Sequence, residues 1–391
     1  MAGNEDVLPI VLDVGSHTTR AGFAGDDAPR AAFPSVIGGT KYLKGMVGIG
    51  NKDNYVGDEA QVQRGMLKMQ SMVKNGIVAN FDLYERLLHH TFYNELRIAP
   101  EEHPVLFSAP VMNPLANEQK ISQIMFETFS VPACAAALAP ALSLYASGRG
   151  TGVVVEIGEG VTQIVPIYES AIIDEAIIRL DSGGETMTRY MQKMLGERSP
   201  GMADIPSARF WAIDKMKQSS AMVALDYDLE FNNFQCSSEK HIEYQFEDGT
   251  IHKLGAERIR CGECLFQPKL VDSEQMGLSR QLYKSILKCP MDTRKDFYSN
   301  IILSGGTTLT PGISERLTKD ISAIAPASVR VRVVAPPERK YMTWIGGSII
   351  ASLSTFQKTW FTKEQYDECG PMDIHRWGCI STTQFQPKGY A

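Results

Sequence analysis

One pattern occurs twice and narrows the possible folds more than any other feature of the chain. VLDVGSHTTRAGFAG (Val11 to Gly25) reads as an apolar strand, an acid, a glycine turn and a second strand. VVVEIGEGVTQIVP (Val153 to Pro166) repeats that order roughly 140 residues later. The repetition predicts a duplicated chain in which each half supplies one glycine-turn hairpin. Three glycine pairs follow, in LDSGGETMTRYMQKML (Leu180 to Leu195), IILSGGTTLTPGISERL (Ile301 to Leu317) and WIGGSIIASLSTF (Trp344 to Phe356). Each pair is expected at a strand-to-helix boundary, where backbone N–H groups and the helix dipole favour an anion. Strands and helices alternate throughout, which makes the fold class α/β.

Two acid-bearing glycine turns facing each other form a clamp. Their N–H groups can surround a polyphosphate while Asp13 and Glu156 hold a hydrated Mg²⁺ beneath it. From spacing alone, purely structural turns remain an open alternative. A formal charge of -6 argues against a dedicated binder of nucleic acid or anionic membrane. The start, MAGNEDVLPIVLDVG, carries Glu5 and Asp6 before any apolar run, unlike a signal peptide. Val131 to Ala146 is too short and proline-interrupted for a membrane span. Seven cysteines, an odd number scattered over 391 residues, read as reduced and intracellular. Cys261 and Cys264 (CGEC) lack a second ligand pair for zinc, so they read as ordinary thiols. His89 and His90 lie in a helical pattern and point about 100° apart, poorly placed to chelate one metal.

At this point NKDNYVGDEAQ, HHTFYNELRIAPEEHPVL, QIMFETF, LSLYASGR, LSGGTT, PGISERL, APPERKYMTWIGGSIIASLSTFQ and CGPMDIHR come into view. Across nearly its whole length the chain resembles actin. The resemblance implies an actin-like ATPase fold of two duplicated α/β domains in four subdomains, with ATP or ADP and Mg²⁺ or Ca²⁺ in a central cleft. It implies residues 1–34, 72–146 and 342–391 as the first subdomain and 35–71 as the second, with a mobile loop near 40–54. Residues 147–182 and 274–341 would form the third and 183–273 the fourth. By the same resemblance Asp13, Gly15, Ser16, His17 and Arg20 belong to the first phosphate loop. Gly158, Glu159, Gly160 and Val161 belong to the second. Lys217 and Gln218 would meet the adenosine, and Gly305, Gly306, Thr307, Thr310 and Lys340 would wall the adenine. Asp13 and Glu156 would hold the cation through water.

The departures concentrate where the chemistry would be. The first loop of ordinary actins reads DNGSG and here reads DVGSH, so His17 stands beside the phosphates and either crowds the γ-phosphate or donates to it. DSGDG has become EIGEG, which lengthens both acids. Gln163 replaces a histidine that helps relay protons, and Asn75 replaces a modified histidine. AIQAVLSLYASGR has become ALAPALSLYASGR, so the glutamine that orients the hydrolytic water is Ala139. Pro140 suits a first helical turn, but neither residue can position water. Loss of such a group costs on the order of 10²- to 10⁴-fold in rate.

These features point to an ATP-binding, cytoplasmic, cytoskeletal actin-like protein with weak or absent hydrolysis, serving as a structural subunit of a larger assembly. A conventional dynamic filament ATPase is one alternative. An actin-related subunit of a chromatin-remodelling, dynactin-like or axonemal motor complex is another. Self-assembly is expected to be weak. Where actins have an apolar plug, FQPKLVDSE (Phe266 to Glu274) brings Lys269, Asp272 and Ser273, and YESAIID puts Ala171 where an aromatic stands. The mobile loop carries Tyr42, Leu43 and Lys44. A groove at Tyr145, Ala146, Gly148, Ile350, Leu353 and Thr355 is expected to take partner proteins, actin among them, with no nucleic acid and no membrane.

Overall fold

The computed structural model describes residues 7–40, 54–198, 207–237, 240–371 and 379–380. The expected loop near 40–54 and the C-terminal tail therefore lie largely outside the described residues. Two central sheets are built on one plan. In the first, β1 (Ile10–Val14) pairs antiparallel with β2 (Thr18–Phe23), which pairs with β3 (Ala31–Pro34). On its other side β1 runs parallel to β4 (Val105–Ala109), and β4 parallel to β5 (Ala133–Leu138). In the second, β6 (Gly152–Ile157) pairs antiparallel with β7 (Thr162–Tyr168) and runs parallel to β8 (Ile301–Ser304). β8 in turn runs parallel to β9 (Val333–Val334).

The duplication extends to register. Asp13 is the penultimate residue of β1 and faces Arg20; Glu156 is the penultimate residue of β6 and faces Gln163. Each turn closes with the same bond, Gly15 N–H to Thr18 O at 3.1 Å and Gly158 N–H to Val161 O at 2.9 Å. The parallel strands VLFSA, ACAAAL and IILS are short apolar runs with helices on their faces, so nearly every side chain in them is buried. A separate small sheet spans residues 37–70.

The helices α1 (Ala139–Ala146), α2 (Gly184–Arg198), α3 (Ser207–Ser220) and α4 (Met342–Ser352) set the site. Gly183-Gly184 opens α2, and Gly305-Gly306 lies between β8 and the next helical turn, both as expected. The third pair departs from expectation. Gly346 and Gly347 lie inside α4, far from any strand end. A Cβ on Gly346 would come within 1.8 Å of the Leu142 carbonyl oxygen, so this glycine exists for backbone contact between α1 and α4. Cys261 and Cys264 are buried free thiols. No group of three or more His, Cys, Asp or Glu among the described residues could hold a metal by itself. No described helix is long and apolar enough to cross a membrane.

One groove residue is corrected. Ile350 is 3% exposed and packs in the core with Val11, Leu106 and Trp344; the outward isoleucine is Ile349, at 43%. The helix turns one residue by about 100°, so neighbours cannot share a face. Leu353, Thr355 and Gly148 are exposed, and Tyr145 is half-buried.

Replacing Gly346 by Ala should force α1 and α4 apart and cost about 3 kcal/mol or more. Gly150→Ala, whose Cβ meets nothing closer than 3.5 Å, should stay within about 0.5 kcal/mol. Urea melts of both variants check this; equal midpoints would contradict it.

Candidate functional site: a phosphate clamp between two sheets

A cavity of about 300 Å³ opens between the two sheets. It is lined by Asp13, Gly15, Ser16, His17 and Arg20 from the first hairpin and by Glu156, Gly158, Glu159, Gly160, Val161 and Gln163 from the second. Lys217 and Gln218 on α3, Gly305, Gly306, Thr307 and Thr310 after β8, Lys340, and Ala139 at the start of α1 complete the wall. All the residues singled out for this site in the sequence therefore come together. Gly305 sits at φ +89°, and a Cβ there would meet the Ile157 carbonyl oxygen at 2.3 Å, so the strand end can turn away only with glycine.

Closing the turns uses the N–H groups of Gly15 and Gly158. Those of Ser16, His17, Glu159 and Gly160 have no acceptor among the described residues, and they are the donors left for an anion. Arg20 does not stand free for phosphate. Its Nη1 donates to Asp13 Oδ2 at 2.5 Å, and its buried Nε has no partner among the described residues. The Ser108 hydroxyl donates to the other Asp13 oxygen at 2.7 Å.

Glu156 is held from two elements. Thr343 of α4 donates to Oε1 at 3.2 Å and the Gln163 amide to Oε2 at 3.3 Å. Ser143 of α1 lies 3.1 Å from Thr343 and 2.9 Å from Ser304 of β8. Burial, and then the charge of Asp13, push the Glu156 carboxyl up to about 7. Two such carboxylates with unpaired N–H groups around them suit a hydrated cation whose remaining shell comes from water and phosphate.

On the opposite side Lys217 is buried among acceptors: Asp214 Oδ1 at 2.6 Å, Thr188 at 2.9 Å, the Gly184 carbonyl at 3.0 Å and Glu159 at 3.6 Å. Burial works against its charge, but Glu159 and Asp214 outweigh it and raise its pKa. Asp214 is likewise opposed by burial, yet the His17 hydrogen bond and Lys217 hold it below the usual carboxylate range. Burial raises Glu159. The Gln218 amide nitrogen donates to Asp214 at 2.6 Å, leaving its carbonyl oxygen to accept from a ligand hydroxyl.

The His17 Nε2 lies 3.1 Å from Asp214 Oδ2 across the cleft. Asp214, Thr343 and Ser108 escaped the sequence reading. Only Asp214 left a trace there, as an acid one helical turn before Lys217.

With this geometry in view, one comparison is decisive. A family model described as Actin matches the chain over residues 4–208 and again over 207–378.

A carboxyl raised to about 7 keeps its proton below that pH and loses it above. Folding therefore loses stability through Glu156 as pH rises from about 4.5 to about 7, and a cation that needs the carboxylate must expel the proton. At about pH 6, loading with Mg²⁺ and ADP should release close to one proton more from the protein than from Glu156→Gln. At about pH 8.5 the two should match. Calorimetry in buffers of different ionisation enthalpy measures this, and equal release at pH 6 would contradict it.

Proposed function

The chain belongs to the actin family, and from that premise we propose that it holds ATP with a divalent cation as a structural element and hydrolyses it poorly. Members of this family generally bind ATP or ADP with such a cation. The observation that carries the reading is the state of the two positions where water would be handled. Ala139 lines the cavity with a methyl group only. Gln163 has both ends of its amide engaged: Oε1 accepts from Val111 N–H at 2.6 Å and Nε2 donates to Glu156. Neither is a base that could deprotonate an attacking water, Ala139 cannot orient one, and the Gln163 amide is tied to the scaffold; phosphoryl transfer depends mostly on such positioning. The phosphate would supply the electrophile. Ser16, His17, Glu159 and Gly160 would bind it through N–H groups, while Gln218 and Thr307 face the nucleoside side.

The purified protein should carry bound adenine nucleotide, mostly ATP, and release phosphate about 10²-fold or more slowly than a conventional actin. Ala139→Gln should recover only part of that, because Gln163 stays engaged. Anion-exchange of the denatured supernatant and a phosphate-release assay check both statements. Rapid release by the unmodified protein would favour a conventional filament ATPase instead.

We place the protein in the cytoplasm as a cytoskeletal subunit of a larger assembly, with weak self-assembly. The segment Pro268–Val271 supports this. Leu270 and Val271 pack back on their own core, while Lys269 and Asp272 face outward and Asp272 pairs with Lys193 at 3.3 Å. An apolar plug needs the reverse arrangement, and an unpaired charge at an interface is unfavourable. Partner proteins, actin among them, would dock at the groove of Tyr145, Gly148, Leu353 and Thr355. Sedimentation at micromolar protein with Mg²⁺, salt and ATP should leave most of the protein in the supernatant. Abundant regular filaments without a partner would overturn the assembly reading.

A further inference from the structure

The side chain of His17 crosses from one half of the molecule to the other. Asp214 is 197 residues away in sequence, on α3, and is 1% exposed. The His17 side chain is 28% exposed, so its outer edge meets solvent. Its ring also lies against Trp211, tilted by 55° at 5.2 Å between centroids. Trp211 reaches further, onto the apolar cluster of Val36, Tyr55, Ala60 and Leu67 in the small sheet. From the same outer unit Arg64 pairs with Glu247, which also takes Lys215 of α3. A hydrogen bond, an aromatic contact and an ion pair thus join the two walls of the cleft that the nucleotide must leave.

The geometry points to a clasp: we propose that His17 and Asp214, backed by Trp211, hold the cleft shut over the nucleotide. The inference rests on the reading that this cleft holds a nucleotide. Asp214 and Lys217 face the imidazole from α3, and Glu159 faces it from the β6–β7 turn. On its own hairpin Asp13 and Arg20 are paired with each other, and Thr18 lies 2.9 Å from Nδ1. Asp214 is anchored by Lys217, Thr188 and Gln218, so it does not follow the ring when the walls part. A charged imidazole makes a charge-assisted bond to that carboxylate; a neutral ring keeps an ordinary one at most. Nucleotide release requires the walls to separate, so it must break whichever bond is present. A glycine at position 17, usual in the resembling family, has nothing to offer Asp214.

The test preloads the full chain with a fluorescent ATP analogue at saturating Mg²⁺ and chases with excess ATP at one fixed pH. His17→Ala should release the analogue about ten-fold faster than the unmodified protein. Trp211→Ala, which leaves the His17–Asp214 bond intact, should release faster than the unmodified protein and more slowly than the two substitutions combined. Equal rates for the unmodified protein and His17→Ala would overturn the clasp. Failure of the unmodified protein to load any analogue would overturn the nucleotide reading, and the clasp with it.

Discussion

The approach of α1 to α4 at Gly346 and Leu142 is the contact on which the rest of the molecule depends. It leaves room for no side chain, and it sets the positions of everything nearby. Trp344, two residues away, donates from its indole to the Val11 carbonyl at 3.0 Å and so fixes α4 to the first sheet. Thr343, beside it, reaches Glu156 on the second sheet, and Ser143 of α1 joins that hydroxyl to Ser304. Two sheets that share no strand are thus held in register by two short helices. The acid that closes the phosphate clamp is positioned by residues on both. In a close-packed interior a shift at the crossing reaches the site without attenuation by soft material.

Charge is distributed unevenly over the cleft. On the clamp side Asp13 is paired with Arg20, while the hydrogen bonds to Glu156 come from the neutral Thr343 and Gln163, so its carboxyl stays well above the usual range. On the opposite side Lys217 is surrounded by two carboxylates and two neutral oxygens. That wall is already satisfied and needs no ligand to assemble, and a preorganised surface lowers the ordering cost of binding whatever meets it.

Much of this was legible beforehand because hairpins with an acid and a glycine turn have few ways to fold. The penultimate placement of Asp13 and Glu156 follows directly from the strand–acid–turn order. So does their meeting across one cavity, once duplication is granted. The glycine pair at 346–347 was misread for a physical reason. A glycine needed for close helix packing and one needed at an anion-binding turn look alike in one dimension, and only the partner backbone tells them apart. Ile349 and Ile350 fail similarly, since adjacent apolar residues on a helix cannot announce which of them faces the core. The cross-cleft pair of His17 and Asp214 carried no local signal at all. Its members lie 197 residues apart and meet only because the fold brings a turn to a helix.

Gln163 has a consequence that reaches beyond its own bonds. Its amide joins the buried N–H of Val111 to the carboxyl of Glu156, so it serves the core as well as the cleft. A side chain there with no acceptor, such as leucine, would strand the Val111 N–H, and a buried donor without a partner is unfavourable by about 1–3 kcal/mol. Position 163 is therefore read by folding before it is read by the cleft: a replacement there is tolerated only if it keeps an acceptor for Val111 or if a second residue supplies one.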